Sequence, residues 1–254
     1  TQNITITSVT LAASWLPSVN WRNRGAGDVD SERAGQRLTT ATNIEHQTVD
    51  NFVGSSTIEW NVTQYTGGTS QRGNGAIPTA ASWTVTITAA TLAESVLRHG
   101  EKGNLSGIVG IDTWGIRGRI TTTTELTFDR FTGVALTGLM WEVMDFNETT
   151  VQTSTFSQAS GTGTSNLTIT AVVLNQSVAV SAHAGYAGKS DVSVANNTSN
   201  DALEWMTWLH NLTTTTNLQL VRGRNNLAVS GAYFVVEFPA AAVAQIRLRT
   251  LLGV

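Results

Sequence analysis

Histidine, serine and glycine motifs are the first places to look for catalytic or metal chemistry in this sequence. The four histidines are His46, His99, His183 and His210. None belongs to an H-E-x-x-H motif or another paired spacing that binds zinc. No G-x-S-x-G motif occurs, and the glycines at 67–68 and 161–163 lack the lysine of a phosphate-binding loop. The sequence therefore predicts no catalytic centre, no metal site and no cofactor.

Carboxylates could act in pairs to cleave a glycosidic bond. The candidates for such a pair are Asp112, Asp129, Glu142, Asp145 and Glu237. Asp145 and Glu237 occupy equivalent positions of an internal repeat, which indicates a role in the architecture. We therefore interpret the chain as a protein that is not an enzyme.

Tryptophans could bind a partner. The candidate interface residues are Trp15, Trp21, Trp114, Trp205 and Trp208. Surface tryptophan is enriched where proteins contact one another, and it also stacks on sugars in lectin-like sites. Repeated sugar sites would place their aromatic residues at equivalent positions, but Trp15, Trp114 and Trp205 do not align between repeats. Contact with a protein is therefore favoured over contact with a carbohydrate.

The elements that must position these residues are present three times. A T-I-T segment begins at Asn3, Thr84 and Asn166, a threonine-rich segment at Leu38, Ile120 and Leu212, and an aromatic-x-Val segment at Trp60, Trp141 and Tyr233. Leu92 lies 81 residues after its equivalent Leu11. From the second copy to the third, the spacing is 82 residues between Leu92 and Leu174 but 92 between Ile120 and Leu212. The second and third copies thus differ by an insertion of ten residues. This repeat predicts three modules, at residues 1–80, 81–162 and 163–254.

Apolar and polar residues alternate in each copy, which is typical of half-buried strands. We predict that the threonine-rich segment is one strand, with Ile120, Thr122, Thr124, Leu126 and Phe128 on one face. The predicted core residues of the third repeated strand are Trp60, Val62, Trp141, Val143, Tyr233 and Val235. Trp141→Ala is expected to cost about 3 to 5 kcal/mol as a core truncation. The predicted fold class is all-β, with three tandem β-sandwich or jelly-roll-like modules.

The insertion in the third module is predicted to hold a short helix over residues 200–210, because a capping Asn200 is followed by helix-forming residues. Trp205 and Trp208 would share a face of it, covering their own module or docking a neighbour. Sequons such as those at Asn61 and Asn166 are attributed to the abundance of serine and threonine.

Composition narrows the range of partners. Only 13% of residues are charged and the net charge is −3, so no basic field would attract nucleic acid or an anionic membrane. The sequence contains no apolar run long enough to span a bilayer, and no cysteine for a disulfide or a thiolate metal site. We expect neither nucleic acid nor membrane as a partner.

Together, these motifs resemble the repeated β-sandwich modules of virion structural proteins from tailed bacteriophages. The pattern is T-[IVL]-T-I-T, then LTTTT-x-[LI], then W-x-V-x-x-F, then a glycine-rich link with a strand that carries Gln71 or Gln152. The resemblance covers all three modules, although the third has Tyr233 for tryptophan and ends in a tail. It implies a virion location, as a capsid decoration protein or a tail or fibre part, with capsid or tail subunits as partners.

Two alternatives to this interpretation differ in class. One is an array of carbohydrate-binding modules that contacts a host surface, and the other is an extracellular surface-layer or filament subunit. Under any of these interpretations, the chain could form a homo-oligomer.

The modules could lie in a row or circle a pseudo-threefold axis. Gln245 follows Phe238 by seven residues, much as Gln71 follows Tyr65 by six. Residues 243–248 therefore have the pattern of a third linking strand. If linking strands pair with the next module, this tail would return to the first module and close a ring.

Overall fold

The computed structural model describes residues 2–16, 19–23, 34–48, 56–60, 62–102, 115–131, 136–181, 188–190, 208–223, 225 and 227–240. These residues form antiparallel strands joined by short turns, with 3-10 turns at Leu11–Ala13 and Leu174–Gln176. The all-β fold class is confirmed.

The strands follow the repeat. The first module holds β1 (Gln2–Thr5), β2 (Ser14–Trp15), β3 (Val19–Asn23), β4 (Ala34–Thr40), β5 (Asn43–Thr48), β6 (Ser56–Trp60) and β7 (Thr63–Gln64). The chain continues through β8 (Thr69–Ile77), β9 (Ser82–Thr86), β10 (Ser95–Lys102), β11 (Arg117–Thr122), β12 (Glu125–Asp129) and β13 (Leu136–Asp145). The last part holds β14 (Thr150–Gln158), β15 (Thr164–Thr168), β16 (Ser177–Ser181), β17 (Gly188–Ser190), β18 (Trp208–Thr214), β19 (Asn217–Arg222) and β20 (Val229–Glu237).

Each module contains two sheets. The first kind of sheet has the order β1-β5-β4, β9-β12-β11 or β15-β19-β18. The second kind has the order β10-β13-β8 in the second module and β16-β20-β14 in the third, where β17 also pairs with β20. In the first module its counterparts are the pairs β2-β7 and β3-β6. Buried apolar side chains fill the space between the two sheets, as in a β-sandwich.

The threonine-rich segment is a hairpin, so the prediction of a single strand is wrong. Strand β11 ends at Thr122 and β12 begins at Glu125, with a two-residue turn between them. The N–H of Thr124 donates to the Thr122 hydroxyl at 3.3 Å, and the same bond recurs from Thr42 to Thr40 and from Thr216 to Thr214. Each threonine hydroxyl thus closes the turn that a glycine or asparagine more often marks.

The prediction of a helix in the third module is also wrong for its last three residues, 208–210. Residues 208–210 open β18, where Trp208 pairs with Arg222 across the ladder. Residues 200–207 lie outside the described part of the chain. Trp208 is buried against the ring of Phe156, and its indole N–H donates to Gln158 Oε1. The aromatic pair and the satisfied indole hold this residue in the core of its own module.

The repeated aromatic-x-Val strand lies where the sequence places it. Val143 and Val235 are fully buried and Tyr233 is nearly so, while Trp141 packs at the margin of the second core. Val62 is half-buried against the core of the first module. Strand β6 contains Trp60, whose side chain lies outside the described part. This strand is therefore the central element of the second sheet in the second and third modules, and in the first module it pairs with β2 and β3.

Candidate functional site at the module junctions

Three equivalent aromatic rings meet at the centre of the molecule. Tyr65, Phe146 and Phe238 end the same strand in successive repeats. Their ring centroids are 5.5 Å apart for Tyr65 and Phe146, 5.8 Å for Tyr65 and Phe238, and 5.4 Å for Phe146 and Phe238. A row of modules would bring together only neighbours, whereas each ring here contacts both others. The modules therefore surround a pseudo-threefold axis that passes through this aromatic triad.

The backbone around the triad repeats as well. The N–H groups of Tyr65, Phe146 and Phe238 donate to the carbonyls of Ala13, Glu94 and Gln176, at 2.8, 3.0 and 2.9 Å. In each module, this bond fastens the ring-bearing residue to the segment that opens the second sheet. The triad is thus held by equivalent backbone contacts in all three copies.

The linking strands β8 and β14 join the modules by pairing forward. β8 follows the first repeat but pairs with β13 of the second, with Gln71 opposite Val143. β14 follows the second repeat but pairs with β20 of the third, with Gln152 opposite Val235. Each module therefore gives a strand to the sandwich of the next. Residues 69–77 therefore pack in the second module and residues 150–158 in the third, although the boundaries at 80 and 162 assign each segment to the module before it.

A glutamine on each linking strand fixes its register. Gln71 Nε2 donates to the Thr88 carbonyl at 2.9 Å, and Gln152 Nε2 donates to the Thr170 carbonyl at 2.9 Å. The N–H of Thr170 also donates to Gln152 Oε1 at 2.8 Å. Thr88 and Thr170 are equivalent residues at the end of the T-I-T segment. The glutamine side chain therefore pins the incoming strand to the receiving module.

The repeated carboxylates serve the architecture. Asp145 Oδ2 accepts from the N–H of Thr91 at 2.9 Å, and Glu237 Oε2 accepts from the N–H of Val173 at 3.2 Å. In the first module, Gln64 Oε1 accepts from the equivalent N–H of Thr10 at 2.9 Å. Since an uncharged amide serves at the same position, these side chains act as hydrogen-bond acceptors. Asp145 and Glu237 therefore bind the backbone of their own modules.

A buried polar network joins the first and second modules. Glu142, 1% exposed, accepts from Arg72 Nε at 2.6 Å and from the N–H of Leu16 at 3.1 Å. Arg72 also donates to the carbonyls of Leu11 and Ser14. Glu142 therefore compensates a cation on the linking strand and holds the backbone of the preceding module.

Arg98 extends this network into the hairpin of the first module. It donates to the carbonyl and side-chain oxygens of Gln36 at 3.2 and 3.3 Å, and Gln36 Nε2 bonds His46 Nδ1 at 2.9 Å. Burial lowers the pKa of the Arg98 guanidinium, and the charge of Glu142 opposes that change. A buried cation that faces only neutral oxygens would be costly, so Glu142 matters electrostatically beyond its direct contacts.

The second and third modules meet with different chemistry. The position of Glu142 is taken by Phe234 and that of Arg72 by Thr153, and Phe234 is fully buried in the core that also holds Phe146. Arg117 Nη1 donates to Ser230 Oγ at 3.3 Å across this junction, while its Nη2 pairs with Asp129 at 2.8 Å. Equivalent surfaces are thus joined by an ion pair in one case and by apolar packing in the other.

Burial lowers the pKa of two histidines. The pKa of His46 is lowered to about 4, mainly by burial and secondarily by the charge of the N-terminus. Burial lowers the pKa of His210 to about 4, and a hydrogen bond to the Trp208 backbone opposes this shift. Both imidazoles are therefore neutral at pH 7, and neither changes its charge near neutral pH as an ordinary histidine would.

We predict that stability falls as the pH drops from about 6.5 to about 4, because the unfolded histidines take up a proton before the folded ones do. His46, which is fully buried, should contribute up to about 3 kcal/mol of this loss, and the half-buried His210 less. Urea unfolding at pH 7 and pH 4.5 measures it. His46→Gln should flatten the profile relative to the parent chain; an unchanged slope in His46→Gln would show that other groups cause the loss.

The predicted interface tryptophans do not form one surface. Trp15 is 5% exposed and packs edge-on against Phe146, with centroids 5.1 Å apart, so the expectation that it contacts an external partner is corrected. It joins the first module to the second. Trp208 is buried in its own module, as described above. Only the backbone of Trp21 is described, in β3, and Trp114 and Trp205 lie outside the described residues.

Most of the junction residues were not assigned to module contacts from the sequence, although Trp15, Glu142, Gln71 and Gln152 were named for other reasons. The aromatic triad could have been predicted, because its members end the same repeated motif in all three copies. Arg72, Glu142 and Gln36 occur in one copy only, so the repeat hides them. Their pairing becomes visible only when the linking strand is known to cross into the next module.

Within the described ranges, no cluster of three or more histidine or acidic side chains could hold a metal ion. No helix in that same part of the chain is long and apolar enough to cross a bilayer. The fold and this junction together define a strand-exchanged pseudo-trimer of β-sandwiches. Neither a protein-family model nor a curated protein matches the chain.

Proposed function

We propose that this chain is a non-enzymatic virion structural protein, which decorates or cements a phage capsid or forms part of the tail. The observation that carries the proposal is the aromatic triad, because it gives one chain the symmetry of a trimer. Shells and tails are built from symmetric assemblies of subunits. A pseudo-trimer can present three similar contacts to three related subunits at once, which raises its overall affinity without a large surface on any one module.

The chemistry of the described polar groups supports a structural role. Glu142, Arg72 and Arg98 are used in bonds between modules, and Asp145 and Glu237 hold the backbone of their own modules. The first set joins the first two modules, and the second set fixes the backbone within each module. They are the kind of contact expected in a component that must keep its shape on a particle.

Three equivalent leucines form the surface that we assign to docking. They are Leu11, Leu92 and Leu174; Leu92 and Leu174 are 40% and 42% exposed, whereas Leu11 is half-buried against the core of the first module. Each lies two residues before the carbonyl that accepts from the N–H of a triad residue. The leucines therefore surround the pseudo-threefold axis at one end of the molecule. The occupant that fits is a threefold or quasi-threefold site on the particle, with one apolar contact for each leucine.

The variable segments supply further contacts. In each module a connection leaves the second sheet after β3, β10 or β17 and enters the first sheet at β4, β11 or β18. Residues 24–33, 103–114 and 191–207 of these connections lie outside the described part of the chain. Because their anchors are equivalent and their sequences differ, we assign to them the recognition of the individual subunits around the site.

Replacing all three leucines by aspartate tests the docking surface. Leu11→Asp/Leu92→Asp/Leu174→Asp should weaken binding to particles at least about 100-fold, because a carboxylate would be buried at each of three apolar contacts. Binding would be measured by cosedimentation with particles that lack the chain.

Leu209→Asp is the matched control, since Leu209 is 67% exposed on β18 and lies outside the leucine surface. It should bind as the parent chain does. Thermal unfolding would confirm that both variants are folded. Full binding by a folded triple variant would overturn the assignment of this surface.

A further inference from the structure

The polar groups beside the leucine surface differ between the modules, although the leucines themselves repeat. In each module one side chain accepts a hydrogen bond from the N–H of the residue that precedes the leucine. This side chain is Gln64, Asp145 or Glu237 in successive modules. It is therefore held next to its leucine in all three copies, but it is an uncharged amide in the first module and a carboxylate in the other two.

Two further positions strengthen this difference. Glu94 lies two residues after Leu92, and Glu148 lies two residues after Phe146 of the aromatic triad. Burial first, and then the charges of Glu148 and Glu94, raise the pKa of Tyr65, so both carboxylates lie near the triad. The equivalent residues of the other two modules are all uncharged: Ala13 and Gly67 in the first, and Gln176 and Ala240 in the third.

The second module thus has three carboxylates beside the leucine surface, which we call the acidic sector: Glu94, Asp145 and Glu148. The third module has one at the equivalent positions, and the first has none. No arginine or lysine of the described residues forms an ion pair with these side chains. On the side of the first module, Arg72 donates to the Leu11 carbonyl, and Glu142 compensates its charge. The closing strand predicted at residues 243–248 lies outside the described part of the chain.

On the basis of the proposed virion role, we propose that the acidic sector binds lysine or arginine side chains of one particle subunit. Protein interfaces commonly have an apolar centre and a polar rim, and a rim charge on one partner favours the opposite charge on the other. Three similar apolar contacts alone would make the three orientations about the pseudo-threefold axis nearly equivalent. The acidic sector distinguishes them, so the chain docks with its second module against the basic subunit.

Neutral variants of similar size test the role of charge. Glu94→Gln/Asp145→Asn/Glu148→Gln removes all three charges and leaves an amide oxygen at residue 145, as Gln64 provides in the first module. At about 50 mM salt, it should bind at least about tenfold more weakly than the parent chain to particles that lack the chain. The difference should fall below about twofold at about 500 mM salt, where screening weakens the parent chain's own contact.

Glu237→Gln is the matched control, because Glu237 occupies the position of Asp145 in the third module. It should weaken binding by less than about twofold at either salt concentration. Cosedimentation measures binding, and thermal unfolding shows whether each variant is folded. If the triple variant does not fold, Glu94→Gln/Glu148→Gln keeps the backbone bond of Asp145 and should still lose about fivefold.

A loss that is specific to the acidic sector and disappears at high salt supports the proposal. Binding by a folded neutral variant as tight as that of the parent chain at low salt would overturn it and leave the proposed function standing. A loss in Glu237→Gln as large as that of the triple variant would also overturn it, because the charges would then not select one module. If the parent chain itself does not bind the particles, the proposed function fails, and the assignment of the acidic sector fails with it.

Discussion

Phe146→Ala should lower the free energy of unfolding by about 3 to 5 kcal/mol, as a truncation in the core. Its ring is fully buried and meets Trp15, Tyr65 and Phe238 edge-on or nearly so. Removing it leaves a cavity at a point where all three modules touch. Edge-to-face contacts with three rings add to the loss of buried area.

Urea unfolding followed by tryptophan fluorescence measures this effect. Phe131→Ala is the matched control, because Phe131 is 38% exposed and lies away from the triad; it should change stability by less than about 1 kcal/mol. Phe146→Ala should also couple to Tyr65→Ala, with the double variant losing less than the sum of the single losses. Additive losses, or a loss near that of Phe131→Ala, would show that the triad is not a common centre.

Glu142→Gln is expected to cost about 3 to 5 kcal/mol, because it leaves the buried Arg72 and Arg98 without their carboxylate. The side chain keeps its size, so the change isolates the charge. Glu142 is 1% exposed and its 2.6 Å bond to Arg72 lies between modules. Glu148→Gln, at an exposed turn of the same repeat, is the control and should be close to neutral.

Chemical unfolding at two salt concentrations distinguishes this buried pair from a surface ion pair. Screening by salt should leave the effect of Glu142→Gln nearly unchanged, whereas a solvent-exposed pair would weaken at high salt. A loss below about 1 kcal/mol, or one that disappears in salt, would mean that the network does not hold the first two modules together.

The repeat predicted the fold class because its signals are local. Alternating residues such as those around Ile87 and Ile169 indicate half-buried strands, and the aromatic-x-Val strand placed Val143 and Val235 in the core. The threonine hairpin was missed because its turn contains neither glycine nor asparagine at a fixed position. The hydroxyl of the threonine two residues before the donor accepts the closing hydrogen bond instead.

The candidate site was harder to predict because it depends on contacts between distant parts of the chain. Glu142 and Leu16 are 126 residues apart, and no local pattern connects them. Trp15 was predicted to be a surface residue because it lies outside the repeated core strand, yet Phe146 of the next module packs against it. Forward pairing of the linking strands explains both cases, and the sequence left that direction open.

Locating the chain on a particle tests the proposed function most directly. Virus particles would be purified from a culture that carries this gene, checked by mass spectrometry for peptides of the chain, and reconstructed by electron cryomicroscopy. We expect one chain on each threefold or quasi-threefold site, with its pseudo-threefold axis aligned and Leu11, Leu92 and Leu174 facing the particle. Absence of the chain from the purified particles, or its presence only at sites without threefold character, would contradict it.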